Sequence, residues 1–197
     1  VLQAAARSSA KIVIAASSLC AVGLPDSQSD HGLEYLPLDE RHPCRPRHTY
    51  DLTKLINEVT CETFSRLTGI TTICFRFPFL TRVEPNNESF RRCLLERPPS
   101  LPLGDYLDLR DAVAAIETAL SRTDLRHEVF FLHADTIGTA FPTSEHLAGF
   151  KPRVPWRGPP PTRTTPLIDA FKARRILGFS PRHTWQTAMG AALPEVT

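Results

Sequence analysis

Two short runs constrain this chain more than any other feature: residues 11–16 (KIVIAA), apolar without alternation, and residues 71–77 (TTICFRF), of strong β-propensity. A strand with one wet face alternates apolar and polar residues. A run apolar throughout belongs to a strand covered on both faces, as in a parallel sheet between helix layers. Between the two runs, residues 50–67 read as an amphipathic helix. Leu52, Leu55, Ile56, Val59 and Phe64 form its stripe, and Gly69 is its C-terminal stop.

The remaining chain alternates in the same way. Residues 1–9 resemble the last turns of a helix, and residues 24–49 form a polar loop carrying Pro25, Pro37, Pro43 and Pro46. A short helix is expected over 88–96, another over 111–120, and a third strand over 128–133. A helix at 143–148 is expected to be capped by Thr143 or Ser144. Residues 151–166, with six prolines, read as an extended arm, and a last helix over 169–177 stops at Gly178. Strands separated by helices predict an α/β fold with a largely parallel sheet.

A length of 197 residues suits one domain with a proper core. A net charge of +2 on scattered basic residues argues against a nucleic-acid footprint. The run 12–25 after Arg7 and Lys11 mimics a signal peptide, but Ser17-Ser18 splits it and it is too short to span a bilayer. The opening is therefore read as the interior of a longer gene product. Cys20, Cys44, Cys61, Cys74 and Cys93 form no CxxC pair and read mostly as small apolar residues of a protein in the reducing cytoplasm.

Chemistry concentrates at the two ends of residues 11–54. The first strand ends in Ser17-Ser18, and Tyr50 and Lys54 stand four apart on one helix face. Lysines are scarce, four against nineteen arginines, so Lys54 in this place carries weight. A phenol ordinarily ionises near pH 10, and a neighbouring ammonium favours its phenolate. A serine facing such a pair can hold a substrate oxygen while the phenol moves the proton.

In this order the parts resemble the extended short-chain dehydrogenase/reductase family, the NAD-dependent epimerases and dehydratases. The matching pieces are Lys11-Ile12-Val13 to Ser17-Ser18 with Gly23, Leu36-Pro37-Leu38-Asp39-Glu40 with His42-Pro43, and Tyr50-Asp51-Leu52-Thr53-Lys54. They continue with Arg76-Phe77-Pro78-Phe79, Leu107-Asp108-Leu109-Arg110-Asp111-Ala112 and residues 172–179 (KARRILGF).

The resemblance implies a Rossmann-type parallel sheet with a small mixed substrate-binding lobe. Residues 1–85 would be the catalytic part of the sheet, and residues 86–197 the lobe and returning elements of the same domain. It implies Ser18, Tyr50 and Lys54 as catalytic residues, and Ser17, Tyr50, Lys54, Pro78 and Phe79 as cofactor-binding residues around NAD or NADP. The substrate would be a sugar, a sugar nucleotide or a similar hydroxyl or carbonyl compound. A homodimer of the full-length enzyme is compatible with it, and neither a membrane nor a nucleic-acid partner is expected.

Two departures stand out. Asp51 follows the tyrosine where the family has a small residue, which suggests tuning of the phenol. More seriously, no two of the nine glycines lie closer than nine positions, so no glycine-rich turn serves a pyrophosphate. The chain therefore reads as an N-terminally incomplete fold lacking its first βαβ units. The alternative is an inactive remnant or binding protein of that fold.

Three other features attract weaker expectations. Asp39, Glu40, His42, Cys44 and His48 crowd together without zinc-like spacing, so no metal is expected. The Pro159-Pro160-Pro161 arm is read as crossing the small lobe rather than as a partner's ligand. His133 is read as a structural histidine.

Overall fold

The computed structural model describes residues 1–24, 32–96 and 101–190. In chain order the elements are α1 (Leu2–Arg7), β1 (Ile12–Ser18), α2 (Thr49–Thr68), β2 (Thr71–Phe77), β3 (Phe79–Thr81) and α3 (Glu88–Leu95). There follow β4 (Tyr106–Asp108), α4 (Leu109–Leu120), β5 (His127–Phe131), α5 (Thr143–Ala148), α6 (Phe171–Leu177) and α7 (Trp185–Met189). The fold is α/β, of Rossmann type, around a parallel sheet in the order β1-β2-β5.

The two runs are neighbours in that sheet, Ile12 opposite Thr71 and Ser18 opposite Phe77. Ile73, Phe75 and Phe130 pack on Ala112, Ala115 and Ala119 of α4 and on Ala173 and Leu177 of α6. Small residues on α4 let the helix approach the sheet closely. The opposite face is covered by α2, where the Thr72 hydroxyl donates to the Cys61 carbonyl at 3.2 Å. Cys61 and Cys74 are buried there as thiols.

The amphipathic reading of α2 is corrected by the structure. The residues it buries are Asp51, Glu58, Cys61 and Ser65, while Leu52, Ile56 and Val59 remain about half exposed. The polar side of the helix turns inward because its carboxylates have specific partners there, described below. Among the described residues β1 pairs only with β2 and α1 buries nothing, so β1 is an edge strand of the sheet.

β3 and β4 form a second, two-stranded parallel sheet that the sequence did not disclose. The proline-rich arm runs beside the loop before α2, bridging at Leu36 with Trp156 and at Leu38 with Ile168. Proline has no amide hydrogen, so the pairing is confined to the few N–H groups left. Leu36 N donates to Pro155 O at 2.9 Å and Arg157 N to Leu36 O at 2.7 Å.

Helix boundaries moved where a side chain offered a cap. Asp108 accepts from Arg110 N at 2.7 Å and starts α4 two residues early. Asp169 accepts from Phe171 N, so α6 begins after it rather than at it. Neither Thr143 nor Ser144 caps α5: the Thr143 hydroxyl donates to Arg163 O and Thr165 O and ties down the arm. Gly69 and Gly178 close their helices in the left-handed conformation, as expected.

Candidate active site

The site begins at the carboxyl end of β1. Successive strand residues point to opposite faces, and Ser17 and Ser18 part company accordingly. The Ser18 hydroxyl oxygen accepts from Cys20 N at 3.2 Å and caps a single 3-10 turn over Leu19–Val22. Gly23 ends that turn at φ 80°, and a Cβ there would sit 1.9 Å from Arg45 O. The close approach lets Arg45 N donate to Val22 O, which brings the segment entering α2 beside the serine.

Ser17 lies on the other side. Its hydroxyl donates to Glu58 Oε1 at 2.5 Å, and Arg76 of β2 donates to both oxygens of Glu58 at 2.9 and 2.8 Å. Glu58 and Arg76 side chains are each 5% exposed. Ser17, assigned to cofactor binding by resemblance, is thus placed in a buried clamp joining β1, α2 and β2, not with the other site residues. The clamp explains why α2 buries its polar side.

Tyr50 stands in the first turn of α2, 55% exposed. Lys54 reaches back over it: Nζ lies 5.3 Å from the Tyr50 ring centroid and donates to Ala16 O at 3.0 Å. Asp51 has a structural explanation. It is buried, and its Oδ2 accepts from Arg47 N at 3.1 Å and His48 N at 3.2 Å, satisfying amides at the start of the helix that presents Tyr50.

A cavity of about 340 Å³ gathers Ser18, Cys20, Tyr50, Pro78, Phe79 and Asp105. Ser18, Tyr50, Pro78 and Phe79 are brought together; Lys54 stands beside Tyr50 outside the lining. Cys20 and Asp105 were missed by the sequence reading. Burial raises the Cys20 thiol, partly offset by the Ser18 hydroxyl and reinforced by the charges of Asp51 and Asp105. Burial also pushes the Asp105 carboxyl up to about 7, against the lowering effect of its own amide and that of Phe79. The one clue in the sequence was a carboxylate entering the apolar Tyr106-Leu107 pair.

The crowded loop disperses its polar side chains among separate partners. Asp39 accepts from the Tyr35 hydroxyl and pairs with Arg41, and Glu40 accepts from Phe131 N at 2.8 Å. His42 accepts from Glu34 N at 3.1 Å. The Cys44 sulfur accepts from Arg76 at 3.1 Å. Among the described residues no three His, Cys, Asp or Glu side chains gather as metal ligands, and no helix is long and apolar enough to cross a membrane. His133 is buried, with Nδ1 against Ala134 O at 2.5 Å, and burial lowers it to about 4.

Ser18 at the carboxyl end of β1 and Phe79 just past that of β2 meet Tyr50 of α2 there, the end of an open parallel sheet at which α/β folds take their ligands. The comparisons supply the family. The sequence profile of the NAD dependent epimerase/dehydratase family matches residues 1–130, and the chain belongs to that family.

A curated protein of Methanocaldococcus jannaschii, a "putative UDP-glucose 4-epimerase", is 25% identical over 184 residues, covering 87% of this chain and 58% of that protein. The chain thus spans little more than half of that relative. Among solved structures, an NAD-bound short-chain dehydrogenase/reductase superfamily protein from Agrobacterium tumefaciens superposes with a TM-score of 0.66 at 20% identity, covering 97% of this chain and 68% of the other. UDP-N-acetylglucosamine 4-epimerase from Bacillus cereus gives 0.62 at 20% identity, covering 95% and 64%. MoeE5 in complex with UDP-glucose and NAD gives 0.61 at 17% identity, covering 95% and 65%.

Proposed function

We propose that the cleft is the substrate and nicotinamide end of an NAD(P)-dependent epimerase, dehydratase or dehydrogenase acting on a sugar nucleotide or similar hydroxyl compound. The observation that carries the proposal is the meeting of Ser18 and Tyr50 in one cavity, with the Lys54 ammonium over the phenol. Ser18 holds the reacting substrate oxygen and Tyr50 takes or returns its proton, with Lys54 held beside the phenol. Pro78 and Phe79 line the cofactor side. NAD(P) bound there supplies the hydride acceptor and donor.

The fit is partial. The side chains suit a nicotinamide ring and its ribose, whereas no glycine-rich turn is present in the sequence for the pyrophosphate. A second reading is a non-catalytic binding protein of the same fold.

The test is conversion of UDP-glucose or UDP-glucuronic acid in the presence of NAD, read by NMR of the sugar because epimerisation and dehydration return the hydride, and by nicotinamide absorbance for a net oxidation. Tyr50→Phe is expected to lower the rate about 10²-fold or more, and Ser18→Ala to lower it similarly. Equal rates in wild type and both variants would refute the assignment. No conversion of either sugar nucleotide in any of them would favour the second reading.

A further inference from the structure

The carboxyl of Asp105 is incompletely used. The residue is 6% exposed, and Oδ2 accepts from Phe79 N at a long 3.3 Å, fastening the start of β3 to the approach of β4. No side chain among the described residues donates to either of its oxygens. A buried carboxyl with only backbone donors calls for an explanation. Asp105 also lines the cavity that holds Ser18 and Tyr50. The amides of Phe79 and of Asp105 itself are the donors that reach the carboxyl, and it borders the cleft with no side-chain partner among the described residues.

The chemistry of that corner selects the ligand. Asp51 and Asp105 both line that corner, and two carboxyls disfavour a phosphate there. A neutral hydroxyl is the matching group, because it can donate to a carboxylate or accept from a carboxylic acid. Resting on the functional reading above, we propose that Asp105 is a specificity-determining residue whose carboxyl holds a sugar hydroxyl other than the one bound by Ser18. The cleft would thereby select a polyhydroxylated ring over a deoxy analogue.

The test is carbon NMR of the full chain with its aspartate carboxyls labelled. Asp105 is assigned by the resonance missing from Asp105→Asn. UDP-glucose is expected to move that resonance, and UDP alone to leave it in place. Asp105→Asn should weaken UDP-glucose binding about tenfold while leaving UDP binding unchanged, which also shows that the variant folds. Movement by UDP alone, or UDP-glucose binding that shifts other aspartates but not Asp105, overturns the proposal and leaves the functional reading standing. No binding of UDP-glucose overturns both.

Discussion

Replacing Glu58 by alanine should cost more stability than any apolar truncation on α2. The change removes both carboxylate acceptors of Arg76, leaving it only the Cys44 sulfur, and the acceptor of the Ser17 hydroxyl, in a place where the two charged side chains are each 5% exposed. Removing one member of a buried pair costs about 3–5 kcal/mol, because the surviving charge stays desolvated. The stranded hydroxyl adds about 1 kcal/mol. A typical domain has about 5–15 kcal/mol in total, so the loss is a large fraction of it. With a urea slope of about 2 kcal/mol per molar, the midpoint should fall by roughly 2 M. The triple variant Ser17→Ala, Glu58→Leu, Arg76→Met removes every polar member at once and should regain most of that loss. Urea unfolding followed by circular dichroism checks both. A Glu58→Ala midpoint within about 0.5 M of wild type, or a triple variant as unstable as the single, would refute the reasoning.

Two further predictions follow from buried carboxylates. Asp105 has a folded value of about 7 against an ordinary 3.8, so between those values the folded state holds a proton that the unfolded state has lost. Stability from this group is present below the lower value and is lost as pH rises through the upper one. At 1.36 kcal/mol per pH unit the ceiling is about 4 kcal/mol. Asp105→Asn lacks this slope and should gain on wild type by a few kcal/mol between about pH 5 and about pH 8; parallel curves for the two proteins would contradict it. Asp51→Ala should cost about 0.5–2 kcal/mol by uncapping α2. Amide hydrogen exchange at residues 47 and 48 should accelerate in that variant; unchanged protection there would count against the capping role.

Much of this architecture was legible because it depends on local patterning. The strands at 12–18 and 71–77 follow from an apolar run and a run of strong β-propensity, and their parallel pairing from the helix between them. Gly69 and Gly178 were readable as helix stops because few other residues accept the left-handed conformation. The burial of α2 was not readable. Its apolar stripe pointed one way, while the deciding contacts were Glu58 with Arg76 and Ser17, eighteen and forty-one positions distant.

The same limit applied at the site. Ser18, Tyr50 and Lys54 were visible as a spacing, but the burial of Ser17 against Glu58 depends on a residue forty-one positions away and was not. Asp51 looked like a departure near the phenol and is the cap of its helix. Asp105, fifty-five positions after Tyr50, enters the cleft through the β3–β4 pair, which had no signature of its own.

The account turns on the claim that this cleft receives the nicotinamide end of the cofactor. Saturation-transfer NMR on the chain with NAD tests that claim most directly, because it reads which protons of the dinucleotide touch protein. The account predicts strong transfer to the nicotinamide protons, weaker transfer to the adenine, and loss of the nicotinamide signal in Tyr50→Phe combined with Lys54→Ala. Transfer confined to the adenine, or a nicotinamide signal indifferent to both substitutions, would contradict it.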